Sequence, residues 1–228
     1  MKSELQALED SVVVCRRCPR LVEFRESVAK AKRKQFMDWN YWGKPVPGYG
    51  DPEAKLLLIG LAPAAHGGNR TGRVFTGDKS AEFLMRCLHY VGLANQPNSD
   101  FRDDGLELYR TYMTPVLKCV PPEDKPKPDE LTNCFPFFEE ELSILANASC
   151  MLALGKIAFD GCLRYFRMRY EFKKKDYPFG HGNTYRFESG MELVAAYHPS
   201  PRNVNTGRLT YEAMIELLEK VKLLSKIR

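Results

Sequence analysis

The chain has 228 residues, 44% hydrophobic and 28% charged, which is enough to bury a full core and too apolar for disorder along its whole length. Its net charge of +5 and isoelectric point near 8.8 permit a polyanionic partner without requiring one. No apolar run approaches the ~20 residues of a membrane span, and the opening Met1–Gln6 lacks the apolar stretch of a secretory signal, so a cytoplasmic protein is expected.

Residues 3–14 predict a short helix, with Leu5, Leu8 and Val12 at helical spacing and Ser3 and Gln6 as a capping box. Cys15-Arg16-Arg17-Cys18-Pro19 ends it. Lys30, Lys32, Arg33 and Lys34 mark either a solvated helix face or a phosphate-contacting patch. Residues 40–55, rich in Gly, Pro and aromatics, predict an ordered loop. Leu56–Gly60 is the first of four short apolar runs, followed by Tyr112–Leu117, Met151–Leu154 and Leu193–Tyr197. Runs of this length suit strands buried on both faces.

Helical patterns lie between the runs. Leu84, Leu88 and Val91 mark one helix. Leu131, Cys134, Phe138, Leu142 and Leu145 mark another, which Pro136 is expected to bend or interrupt. Ile157–Phe166 marks a third, and Met214, Leu217, Leu218, Val221 and Leu224 mark the last. Alternation of strands and helices predicts a single α/β domain over residues 1–228, with a central four-stranded parallel sheet and helices on both faces. Pro121–Glu130 is a proline- and charge-rich loop. In such sheets ligands bind beyond the carboxyl ends of the strands. The segments placed there are Gly60–Gly68, Thr114-Pro115, Gly155-Lys156 and His198–Thr210.

Seven cysteines in a reducing compartment favour metal ligation or burial over disulfides. Cys15 and Cys18 form a Cys-x-x-Cys pair, Cys119 follows the second predicted strand, and Cys134 comes after fourteen intervening residues. Four thiolates suit tetrahedral zinc or a [4Fe–4S] cluster, and the spacing does not choose between them. Cys87, Cys150 and Cys162 sit in apolar stretches and are expected in the core.

The loop Gly60–Asp78 has small residues that allow a ligand close to the backbone, and its free N–H groups can hold an anion or a carbonyl oxygen. It has neither the Gly-Lys-Ser/Thr of a phosphate loop nor a dinucleotide fingerprint. Asp78 is placed to cap the next helix, and Phe75 fits either a core or a ligand-facing position. His198, at a strand end before the stiff Pro199-Ser200-Pro201, is placed to point into the crevice. Arg202 and Arg208 are candidates for binding phosphate.

The stretches Gly-Leu-Ala-Pro-Ala-Ala-His-Gly-Gly-Asn-Arg-Thr-Gly-Arg-Val-Phe-Thr-Gly-Asp (60–78) and His-Pro-Ser-Pro-Arg-Asn-Val-Asn-Thr-Gly-Arg-Leu-Thr (198–210) resemble the two signature motifs of family-five, type b, uracil-DNA glycosylases of thermophiles. The spacing of Cys15, Cys18, Cys119 and Cys134 is similar to that family's cluster ligands. The likeness runs from about Cys15 to the C-terminal helix. The related family-four enzymes have a carboxylate where this chain has Leu61 and a uracil-reading asparagine where it has Pro115.

The resemblance implies the uracil-DNA glycosylase fold and a [4Fe–4S] cluster that ties in the N-terminal segment without redox turnover. It implies a monomer acting on DNA that contains deaminated bases. Uracil would be excised, with hypoxanthine and some oxidised or alkylated bases. The target nucleotide would flip out of the duplex. His198 would donate to the developing anion at uracil O2, a contribution of roughly 3–4 kcal/mol. Asp78 would position water, in competition with its capping role. Ala62, Ala64, Ala65, His66 and Asn69 would border the base, and Phe75 would stack on it. Ser200, Pro201, Arg202, Asn203 and Arg208 would meet DNA. The alternatives are a non-catalytic nucleic-acid-binding protein with zinc or a cluster on the four cysteines, and an electron-transfer protein. The absence of a dense cysteine run argues against the latter.

Overall fold

A computed structural model describes residues 1–227. In chain order the elements are α1 (Lys2–Val13), α2 (Pro19–Ala31), β1 (Tyr49–Gly50), β2 (Leu56–Gly60), α3 (Gly68–Thr71), α4 (Lys79–Tyr90), β3 (Thr111–Pro115) and α5 (Pro128–Ile144). They continue with β4 (Cys150–Leu154), α6 (Lys156–Arg167), β5 (Thr184–Arg186), β6 (Glu192–Ala196), α7 (Pro201–Asn205) and α8 (Tyr211–Leu224). No helix among the described residues is long and apolar enough to cross a membrane.

The sheet has six strands in the order β1-β3-β2-β4-β6-β5, rather than the four expected. The expected parallel core is present as β3-β2-β4-β6. The additions are short antiparallel edge strands, β1 against β3 and β5 against β6. At two and three residues they carry too little side-chain alternation to read from sequence.

Strand residues alternate between two cores. Leu56, Leu58, Leu152, Leu154, Val194 and Ala196 face a layer that includes Leu84 and Leu88 of α4 and Met214, Leu218 and Val221 of α8. Leu57, Ile59, Met151, Ala153, Leu193 and Ala195 face Phe138 and Leu142 of α5 and Phe159, Leu163 and Phe166 of α6. This period of two, with both faces covered, is why the strands are apolar throughout. Cys87 and Cys150 lie in the first layer and Cys162 in the second, as expected of core cysteines.

Three local expectations are corrected. Ser3 and Gln6 form no capping box, because α1 already begins at Lys2 with Met1 as its N-cap. Pro136 lies inside α5 without ending it; buried Phe135, Phe137 and Phe138 around it hold the helix to the core. Residues 198–210 are not all loop, since Ser200 caps the short helix α7. One full helix had no expectation: α2 starts with Cys18 as N-cap and Pro19 in its first turn, where the missing N–H costs nothing.

A buried polar knot fixes β3 to α5. Lys118 and Glu141 are 2% and 3% exposed and pair at 2.6 Å. The Glu141 carboxylate also accepts from Gly48 N–H and Tyr112 Oη at 3.1 Å each, and from the Thr114 hydroxyl.

Candidate active site

Three neighbouring parallel strands end at one edge, β2 at Gly60, β4 at Leu154 and β6 at Ala196. Of the segments that leave them, the one after β2 lines a cleft, and His198 after β6 stands outside that lining. Leu61 is pinned by Leu117 N–H donating to its carbonyl at 2.9 Å. The chain then turns through Ala64–His66, which line a cleft of about 900 Å³. Among the described residues the N–H groups of Ala64, Ala65 and His66 meet no acceptor. Three adjacent free donors suit a carbonyl or anionic oxygen of a ligand.

Asp78 divides its carboxylate between two tasks. Oδ1 accepts from Ser80 N–H at 2.9 Å and Ala81 N–H at 3.0 Å, capping α4. Oδ2 has no partner among the described residues and lies against Gly67, where an added Cβ would sit 2.1 Å away. Burial holds the Asp78 carboxyl above its ordinary range, against the capping N–H groups and Arg70. The sequence posed capping and water positioning as rivals; the geometry leaves one oxygen for each.

Phe75 is held at φ 47°, a left-handed conformation unusual for a side chain this large. Its ring covers the end of β2, and a Cβ on Gly60 would lie 2.8 Å from it. The loop is kept in this shape by Arg73, 2% exposed, which reaches Asp104, Ser99 and Thr76 at 2.7–2.9 Å.

His198 follows β6. Its carbonyl accepts from Asn203 Nδ2 at 2.8 Å, while its ring nitrogens bond to nothing among the described residues. Burial pushes the imidazole below its ordinary value and Asp124 pulls it back up. The ring is therefore neutral near pH 7, with an N–H to give.

Two expected ligand contacts face elsewhere. Asn69 is 1% exposed and its Nδ2 donates to the Arg25 carbonyl at 3.2 Å, which ties its side chain to α2. Asn203 turns inward to His198, whereas Pro201, Arg202 and Arg208 are exposed, and Ser200 is half-buried at its cap. Ala62 packs against the core cluster of Leu21, Leu117, Cys134 and Phe137 and is outside the lining of the cleft that Ala64 and Ala65 border.

The sequence did not point to Asp124, Arg70, Phe36, Trp39 or Tyr41. Asp124 lines the cleft at φ 56° and acts electrostatically on both Asp78 and His198. Only the left-handed turn at Glu123 and Asp124 brings it there. Arg70, 3% exposed, donates to the carbonyls of His66 and Gly77 at 2.7 and 2.8 Å and lies 3.9 Å from the Phe36 and Trp39 ring centres. Tyr41 Oη meets His66 Nδ1 at 3.0 Å. Of the basic stretch 30–34, Arg33 reaches the cleft.

Cys15, Cys18, Cys119 and Cys134 line a second cavity together with Arg25, Leu21 and Phe137. Lys118 N–H donates to Cys134 Sγ at 3.2 Å, and Asn133 Nδ2 lies 3.7 Å from Cys18 Sγ. Four cysteines around one space, with N–H donors on the Cys134 and Cys18 sulfurs, have the ligand type and number of a four-thiolate metal or cluster site, while among the described residues their side chains are not drawn together into a metal-holding group.

Free backbone donors, a carboxylate raised above its ordinary range and an unpaired imidazole follow the carboxyl ends of the parallel core strands, where sheets covered on both faces hold their ligands. By sequence the chain belongs to the uracil DNA glycosylase superfamily, whose pattern matches residues 47–222. It is 47% identical to the type-5 uracil-DNA glycosylase of Thermus thermophilus, over 96% of this chain and 98% of that one. The type-5 enzyme of Pyrobaculum aerophilum is 44% identical, over 92% and 88%. That of Mycobacterium bovis is 43% identical, over 98% and 82%.

Proposed function

We propose that the protein is a monofunctional uracil-DNA glycosylase of base excision repair, hydrolysing the N-glycosidic bond of uracil, hypoxanthine and related damaged bases in DNA. The observation that carries this reading is the Asp78 carboxylate, with one oxygen capping a helix and the other free beside unused backbone donors.

The flipped base stacks on Phe75 over the end of β2. The N–H groups of Ala64, Ala65 and His66 receive its carbonyl edge. Recognition through backbone donors, with Pro115 at the β3 end in place of an amide side chain, supports a pocket that accepts more than one base. As the N-glycosidic bond breaks, its electron pair moves onto the base. Neutral His198 donates to the oxygen where that charge gathers. The sugar is left cationic at C1′, and the negative charges of Asp78 and Asp124 favour it. Asp78 Oδ2 accepts a proton from the water that adds to C1′. Exposed Pro201, Arg202 and Arg208 meet the DNA beside the extruded nucleotide.

Cys15, Cys18, Cys119 and Cys134 would hold a [4Fe–4S] cluster. When bound it supplies a cross-link between the N-terminal segment and the β3–α5 connection, and no step of the hydrolysis needs it.

Single-turnover reaction of an oligonucleotide bearing one uracil or one hypoxanthine, followed by alkali, tests the proposal. Strand breaks at the lesion and none in the unmodified strand are expected. Intact lesion strands with DNA still bound would favour the non-catalytic binding protein.

A further inference from the structure

Four cationic side chains are buried among the described residues. Arg73 and Lys118 face buried carboxylates at 2.7 and 2.6 Å. Arg70 lies against two aromatic rings. Arg25, 2% exposed, has among the described residues neither a buried carboxylate nor an aromatic ring against it. Its nearest carboxylate, Glu26, is 4.0 Å away, about half exposed, and engaged by Arg16. The guanidinium instead donates to Cys119 Sγ at 3.0 Å and to the Cys15 carbonyl at 3.2 Å, and its Nε is buried without an acceptor.

A buried cation is costly unless an anion answers it, and a neutral thiol is a weak acceptor. Four thiolates around zinc or a cubane core leave the site net negative. We infer that Arg25 is the buried counter-charge of the four-thiolate centre, donating to the Cys119 sulfur and balancing the charge the cysteines bring in. The inference rests on the cluster reading above. Arg25 therefore favours the more reduced, more negative state of the cluster and slows release of its metal, as a positioning residue outside the ligand set.

The test uses the full chain purified without oxygen, as wild type and as Arg25→Met, Arg25→Gln and Arg25→Lys. Iron and labile sulfide, cluster absorbance under a chelator, and the reduction midpoint are measured. The wild type is expected to hold about four irons per chain. Arg25→Met and Arg25→Gln should release iron about tenfold or more faster and show a more negative midpoint, with Arg25→Lys restoring the midpoint towards wild type. Should Arg25→Met not fold, the Gln and Lys variants still separate charge from packing. A loaded Arg25→Gln protein with wild-type midpoint and release rate overturns the role of Arg25 while leaving the cluster in place. A wild type that holds zinc overturns the iron–sulfur reading alone, and Arg25 then stands or falls on the same comparison of zinc release.

Discussion

Asp78 is the residue on which the proposed chemistry turns, and its two oxygens make separable predictions. Asp78→Asn keeps an oxygen for the helix cap and loses the base, so excision should fall about 100-fold or more with little change in melting temperature. Gly67→Ala drives a methyl group into Oδ2 and should also lower excision, although it alters no charge. Burial raises the Asp78 carboxyl above 3.8, so its basic form, and the rate with it, is gained as pH rises through that raised value. His198 is shifted the other way, below 6.5, and its neutral form is the donor, so no loss of rate follows on the alkaline side up to about pH 9. A single-turnover pH profile whose acidic side has contributions from Asp78 and His198 is expected, with Asp78→Asn leaving only the His198 limb; an acidic side that the substitution leaves unchanged would assign it to other groups. His198→Ala should cost about 100- to 1,000-fold in excision rate. His198 and Asp78 could be named as candidates from the sequence because each stands at a strand or helix boundary beside an unusual loop. Asp124 and Arg70 were not, because a left-handed turn and a stack on two distant rings bring them to the cleft, and neither leaves a local pattern.

The connection from β3 into α5 carries more than any other element. Within ten residues it holds Pro115 at the strand end, Lys118 of the buried knot, Cys119 of the thiol site and Asp124 of the cleft. Removing the carboxylate of the knot strands a buried ammonium. Glu141→Gln should therefore destabilise the fold by about 3–5 kcal/mol, a fall in melting temperature of roughly 10 °C for a chain of this size. The paired replacement Glu141→Leu with Lys118→Met should cost less than Glu141→Gln alone in denaturant unfolding. An equal or greater loss would mean that packing, not charge, holds the knot. The four central strands were readable to within two residues because burial on both faces writes an unbroken apolar run. The helix α2 was not, because its buried residues are few and Arg25, one of them, reads as surface. Asn69 shows the converse: a polar residue in a candidate ligand loop also holds the loop to the neighbouring helix α2.

At the scale of the molecule, the proposed function would use the small positive charge where it is exposed, at Arg202 and Arg208 after β6 and at Arg33 on the cleft. Binding to undamaged duplex should weaken with salt, and Arg202→Ala or Arg208→Ala should each flatten the log–log salt dependence by about 0.9 if it meets one phosphate. An unchanged slope in both variants would place the DNA on another face. The sheet itself closes both margins with strands of two and three residues running against their neighbours. A margin so short offers another chain almost no ladder of free amide groups to extend. When the protein is heated or concentrated, aggregation must therefore await the opening of its core, so insolubility would report unfolding and not the stacking of intact sheets.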